Sequence, residues 1–327
     1  MPDNEARAFA LRQRTFTGDI ASDWKISSFS SLTANLTTVM DSSQTLRDSV
    51  MDRDGIPAAV QPMSAEQTDH DDTTLDIFSF PHGARPGTFL HELLEQAVFS
   101  TKPPLAESLV YQKLRYFGYN AAWYPAIAQM LENLGNVLLH NDNPGLKLCN
   151  IPPANCLHEL EFYFPLSRLT TAGVKRIFST TNLHASAVEV AALMAGQLDR
   201  LTFAPSRGFM RGFIDLVFEF AGKFYLVDWK SNYLGSGIES YCQDKLAGAI
   251  HSGFYFLQYH IYSLALHLYL QKRLPAYRYE SHFGGVFYIF LRGVDQNLGP
   301  GSGIYHDLPD PAIIEMLKAK FIPGEKN

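Results

Sequence analysis

Gly212-Phe213-Ile214-Asp215-Leu216-Val217-Phe218 and Tyr225-Leu226-Val227-Asp228-Trp229-Lys230 are two apolar, β-branched and aromatic runs, each interrupted by one aspartate. They belong to longer strand-like stretches, Gly208 to Phe220 and Lys223 to Ser231, separated only by Ala221-Gly222. That spacing predicts a hairpin closed by a two-residue turn, with Phe220 opposite Lys223. Counting back along both strands puts Asp215 opposite Asp228. Side chains alternate along a strand, so Asp228 and Lys230 project from one face. Two facing carboxylates in a mostly apolar hairpin repel and are costly to desolvate, which makes the arrangement unfavourable unless a cation neutralises it. Carboxylate oxygens of this kind suit Mg²⁺, with Mn²⁺ as the substitute. Lys230 is then placed to orient or help deprotonate an attacking water, or to stabilise charge on a phosphate. The alternative is an edge hairpin that carries solvated acids.

Working outward, Leu157-His158-Glu159-Leu160-Glu161-Phe162-Tyr163-Phe164 alternates like a strand and puts Glu159 and Glu161 on one face, as further metal-site acids or as ordinary surface acids. Gly87-Thr88 precedes Phe89, Leu90, Leu93, Leu94, Ala97 and Val98, an amphipathic helix with Thr88 as its N-cap. His91 and Glu95 share a face of it. Helices are expected over about 105–117 and 123–139, and a single long one from about Tyr241 to Leu270. On that last helix Gln258 and Tyr262 stand four apart, either as the polar rim of a packed helix or as support for Lys230 and contacts to a nucleic-acid backbone. Gly284 to Leu291 reads as a final strand, and Trp24-Lys25-Ile26-Ser27-Ser28-Phe29 as an extended piece running into a Ser-capped helix. The fold class is mixed α/β.

Residues 41–76 hold nine acidic residues against Arg47 and Arg53 and few large apolar groups, so they cannot bury enough surface to offset the entropy of ordering. They are expected to form a flexible acidic insertion between an N-terminal segment, 1–40, that docks on the main body and the body itself, 77–327. This insertion carries the chain's negative balance of −6. The remainder is nearly neutral, and from Leu201 to Arg292 basic residues exceed acidic ones, so a polyanionic partner is compatible with the charge without being demanded by it. Cys149, Cys156 and Cys242 include no CxxC pair, which suggests neither a disulfide framework nor a zinc ribbon. No apolar leader opens the sequence, and polar residues interrupt the apolar stretch Gly248–Leu270, so a cytoplasmic protein without a membrane span is expected.

The run Gly208 to Phe218 with Asp228-Trp229-Lys230-Ser231-Asn232-Tyr233-Leu234-Gly235 resembles the active-site hairpin of the RecB nuclease-domain family, within the PD-(D/E)XK superfamily. Leu257 to His267 is similar to that family's QxxxY helix, His282 to Val294 to its terminal strand, Glu159 to Phe162 to its acidic strand, and Gly87 to His91 to its histidine helix. The resemblance spans about residues 20–320 and is weak only in the acidic insertion. It implies a restriction-endonuclease-like core, a mixed central sheet flanked by helices with a helical N-terminal extension. It further implies that His91, Asp215 and Asp228 are metal ligands and that Lys230 is the catalytic lysine. Glu159 matches the additional acid better than Glu161. Gln258, Tyr262, Glu161 and Arg211 are candidates for supporting the site or touching DNA. Trp229 stands where the family usually has tyrosine, and alternation should turn it away from the metal.

The resemblance implies a Mg²⁺-dependent nuclease acting on linear or single-stranded DNA in double-strand-break processing and recombinational repair. The competing reading is a catalytically silent DNA-binding or scaffolding module of a RecBCD-like complex. The sequence has no GxxxxGK[ST] loop, so no ATP site and no helicase motor are expected within it, and RecC-like and RecD-like partners are expected only as part of a larger assembly. An iron–sulfur cluster would need four cysteine ligands, which three scattered cysteines do not provide.

Overall fold

A computed structural model describes residues 24–37, 75–180 and 198–323, with Gly18 and Gly196 besides. The acidic segment 41–76 therefore lies outside the described residues apart from its last two. Of these, Asp76 accepts the Ser79 N–H in a tight turn, at 2.8 Å, and belongs to the body that follows.

Among the described residues, six strands form one sheet: β1 (Trp24–Ser27), β2 (Cys156–Leu169), β3 (Ser206–Phe220), β4 (Lys223–Lys230), β5 (Phe283–Phe290) and β6 (Ile304–Asp307). β3 is its organiser. Along one edge it pairs antiparallel with β2 over nearly its whole length. Along the other edge, residues 207–210 pair parallel with β1 and residues 216–220 antiparallel with β4. Residues 211–215 pair with neither strand along this edge, so the sheet forks there. Beyond β4 the sheet continues through parallel β5 to antiparallel β6.

The β3–β4 hairpin follows from its turn. Ala221 and Gly222 both take positive φ, 51° and 77°, as a type I′ turn requires, and Phe220 faces Lys223 with the register unbroken back to Leu216 opposite Val227. The N-terminal piece is similarly local in origin. Ser28 accepts the Ser31 N–H and Ser31 accepts the Ser28 N–H, a reciprocal cap that starts α1 (Phe29–Thr37). This extension begins with a strand of the central sheet as well as a helix, and Phe29 and Leu32 enter the core.

Helices cover the two faces. α2 (Ala84–Leu94), α3 (Glu107–Tyr116) and α4 (Tyr124–Asn136) build one core with Leu216, Phe218, Val227 and Trp229. α5 (Thr171–Thr180), α6 (Gln243–Ser252), α7 (Tyr255–Arg273) and α9 (Pro311–Phe321) build the other with Ile214, Leu226, Tyr288 and Phe290, while α8 (Tyr279–His282) leads into β5. Two expectations need correction. Helix α2 starts at Ala84, so Thr88 lies inside it and bonds the Ala84 carbonyl at 3.0 Å instead of capping. The expected helix from Tyr241 to Leu270 is two helices, because Phe254 adopts a left-handed conformation, φ 57°, after Gly253. No described helix is long and apolar enough to cross a membrane.

α7 passes close over β3 at Gly212. A Cβ built there would lie 2.5 Å from Phe162 Cζ and 3.3 Å from Tyr262 Cε1, both fixed in the core. Gly212→Ala should therefore cost about 1–3 kcal/mol as overpacking, read as a lower denaturation midpoint; wild-type stability would show that α7 has room to move off the sheet.

Candidate metal centre

The fork in the sheet is where the predicted residues collect. Asp215 is the last residue of the skipped stretch, one position before the β4 ladder begins. Its carboxylate Oδ2 accepts the Trp229 backbone N–H at 2.7 Å, so a side chain continues the edge-to-edge contact where the backbone ladder stops. On its other side, β2 pairs with β3 through His158 opposite Leu216 and Leu160 opposite Ile214. Carried through, that register puts Glu159 across from Asp215, a pair missing from a ladder that is also irregular between Leu166 and Leu169. Glu159 has φ 49°, a left-handed conformation that costs a non-glycine residue about 1–2 kcal/mol. Side-chain alternation reverses at the same point: Leu160 and Ile214 face the α7 core, whereas Leu216 faces the α2–α4 core. Glu159 and Asp228 would each be the next partner of Asp215 if the ladders ran on, so the three acids flank an interruption on both sides of β3.

The surrounding side chains come from four elements. His91 of α2 sets Nδ1 3.5 Å from Asp215 Oδ1, both groups being largely shielded. Lys230 Nζ lies 2.7 Å from Asp228 Oδ2 in a buried ion pair. The same ammonium donates to Gln258 Oε1 of α7 at 3.2 Å and sits 4.0 Å from the Tyr255 ring centroid. Gln258 in turn accepts from the Tyr288 hydroxyl at 2.9 Å and donates to Tyr262 at 3.2 Å. Burial by itself would raise the Asp215 pKa, yet it falls below the usual carboxylate value because His91, the Trp229 N–H and Lys230 together outweigh the desolvation.

Glu161 and Arg211 are placed differently. They form a salt bridge with each other, at 2.7 Å, on an exposed part of the sheet, and Trp229 turns into the opposite core as alternation requires. Three participants had no sequence signal. Tyr288 is set against Asp228 by a parallel pairing between strands far apart in the chain. Tyr255 lies one helical turn before Gln258. Arg292, 1% exposed, donates to the carbonyls of Ile77, Phe80 and Pro81 at 2.6–2.7 Å and to that of Ser231 at 3.4 Å, tying the approach to α2 to the residue after Lys230.

The donors at the fork, carboxylate oxygens with one imidazole, have the chemistry of a hard divalent cation site. Among the described residues, no three His, Cys, Asp or Glu side chains are closed to the spacing of a bound ion. The fit is thus one of donor type and shared location, with Asp228 turned towards Lys230.

A forked mixed sheet between two helical layers, with Asp215 and an Asp228-x-Lys230 strand at the fork, defines a PD-(D/E)XK nuclease-like fold. No family model matches the chain. The RecBCD enzyme subunit RecB of Escherichia coli K12 is 34% identical over 318 residues, 97% of this chain and 25% of that protein. The Haemophilus influenzae RecB subunit is 33% identical over 313 residues, 94% of this chain and 24% of its own length. That of Mycolicibacterium smegmatis is 29% identical over 345 residues, 96% of this chain and 30% of its own length. The chain belongs to the RecB family, and it spans about a quarter of the length of the E. coli and H. influenzae proteins.

Replacing Gln258 by leucine removes an acceptor shared by Lys230 and Tyr288 in a dry interior. The expected cost is about 1–3 kcal/mol in denaturant unfolding. An unchanged midpoint would mean that Lys230 is oriented without Gln258.

Proposed function

We propose that this chain is a metal-dependent DNA nuclease domain that hydrolyses phosphodiester bonds, as a RecB-like participant in DNA repair. The observation that carries the reading is the gathering of Asp215 and Asp228 where the β3–β4 ladder stops, with His91 on Asp215 and Lys230 on Asp228. His91, Asp215, Asp228 and Glu159 are the residues that would hold Mg²⁺ or Mn²⁺. When bound, that cation supplies charge neutralisation at the phosphate and acidifies water.

The chain's own groups do the rest. Lys230, held against Asp228 and aimed by Gln258 and the Tyr255 ring, places its ammonium where a phosphoryl oxygen gains negative charge or where water is oriented for attack. Tyr262 fixes the amide of Gln258. Water oxygen bonds to phosphorus, the ester P–O bond breaks, and the leaving oxygen takes up a proton. RecC-like and RecD-like subunits are proposed as partners because the relatives are named as subunits of the RecBCD enzyme.

The test is incubation of the purified chain with labelled linear DNA and Mg²⁺, with and without EDTA, and without ATP. Cleavage that needs the metal but no nucleotide is expected. Asp228 and Lys230 are a buried pair, and removing one partner by alanine leaves the other charge stranded, at a cost of about 3–5 kcal/mol. The shape-conserving Asp228→Asn, which keeps an oxygen acceptor beside Lys230 and leaves no void, is the better variant. With folding checked by circular dichroism, it should cut at least ~100-fold more slowly. Wild-type cleavage by Asp228→Asn would place the chemistry elsewhere. Metal-independent DNA binding without any cleavage would favour a silent binding module.

A further inference from the structure

On the side of the sheet away from α7, the first half of β3 and its two neighbours present, among the described residues, an exposed aromatic face. Trp24 and Ile26 on β1 are 59% and 58% exposed, Tyr163 on β2 is 51% exposed, and Phe209 on β3 is 38% exposed. They form one surface. Ile26 pairs directly with Phe209, the rings of Trp24 and Phe209 meet edge to face at 6.3 Å, and Arg211 pairs directly with Tyr163. The Arg211 guanidinium lies 5.4 Å from the Tyr163 ring centroid and 5.0 Å from that of Phe213. Arg207, opposite Trp24, adds a second guanidinium, and Arg211 is paired with Glu161.

Soluble sheets normally cover or charge such a face, and a contiguous aromatic patch of this kind marks a binding surface. Two features select its occupant. Aromatic rings interleaved with arginines suit an unpaired nucleic-acid strand, whose bases offer π faces that a duplex keeps stacked inside. The patch is also continuous with the fork: its β3 residues end at Phe213, two positions before Asp215. We propose that this face is a stacking platform for an unpaired DNA strand, which it feeds to the carboxylates at the fork. The proposal rests on the nuclease reading for its destination and on the sheet face for its chemistry.

Trp24 is the reporter, since the other two tryptophans, Trp123 and Trp229, are 8% and 2% exposed. The full chain is titrated with a short oligo(dT) in EDTA, so that no strand is cut. Tryptophan emission should fall as the oligonucleotide binds, and a duplex should leave it unchanged. Trp24→Phe should abolish the drop while retaining binding. Phe209→Leu, which keeps apolar bulk but loses the π face, should weaken binding roughly ten-fold, and Phe209→Tyr should restore it. Unchanged emission with bound oligo(dT), equal quenching by duplex, wild-type affinity in Phe209→Leu, or no oligo(dT) binding at all would each overturn the platform. The two readings separate cleanly. A chain that cuts DNA without any change in Trp24 emission loses the platform and keeps the nuclease, whereas quenching without metal-dependent cleavage does the reverse.

Discussion

The contact between the Asp215 carboxylate and the Trp229 backbone N–H holds the architecture of the fork together. An antiparallel ladder would ordinarily satisfy that N–H with a backbone carbonyl and carry the two strands onward side by side. Here a side chain takes the bond, and β3 leaves β4 at the point where the chain has placed an acid. The interruption against β2 at Glu159 falls on the same row. Strand pairing is given up where carboxylates accumulate, and the exposed backbone groups are met locally instead of being left unsatisfied.

This has consequences for both cores. Because alternation reverses at the Glu159–Asp215 row, the long β2–β3 pair packs on the α7 side above it and on the α2–α4 side below it. Helices from opposite layers can then reach the same spot: α2 brings His91 to Asp215, and α7 brings Gln258 and Tyr255 to Lys230. A sheet with unbroken alternation would keep those two helices on opposite sides of a continuous wall. The left-handed backbone of Glu159 costs stability, and it falls on the row where the alternation reverses.

Lys230 shows how a buried charge is made tolerable. An ammonium 1% exposed is sustained by an opposed carboxylate, an amide oxygen and the faces of two tyrosines. Each group restricts its direction as well as its energy, since cation–π and hydrogen-bonding partners from α7 and β5 leave the ammonium little freedom. Arg292 performs the equivalent task for the loop before α2, through carbonyl oxygens.

By itself the sequence determined the hairpin and nearly everything that follows from local periodicity. A two-residue turn at Ala221-Gly222 sets facing positions by counting, alternation puts Lys230 with Asp228 and sends Trp229 away, and helical spacing sets Gln258 beside Tyr262. It also misjudged local detail wherever one residue's backbone conformation decides, as at Phe254, where a left-handed turn divides the expected long helix. Tertiary structure alone decided the rest. The parallel pairings that bring Tyr288 to Asp228 and β1 to β3 join segments separated by long stretches of chain, and no local pattern encodes that register. The resemblance already favoured Glu159 over Glu161, but the backbone geometry that separates them is tertiary. Both sit on one strand with the same alternation, and only a single left-handed residue and the reversal of faces around it put one opposite Asp215 and left the other at the surface, paired with Arg211.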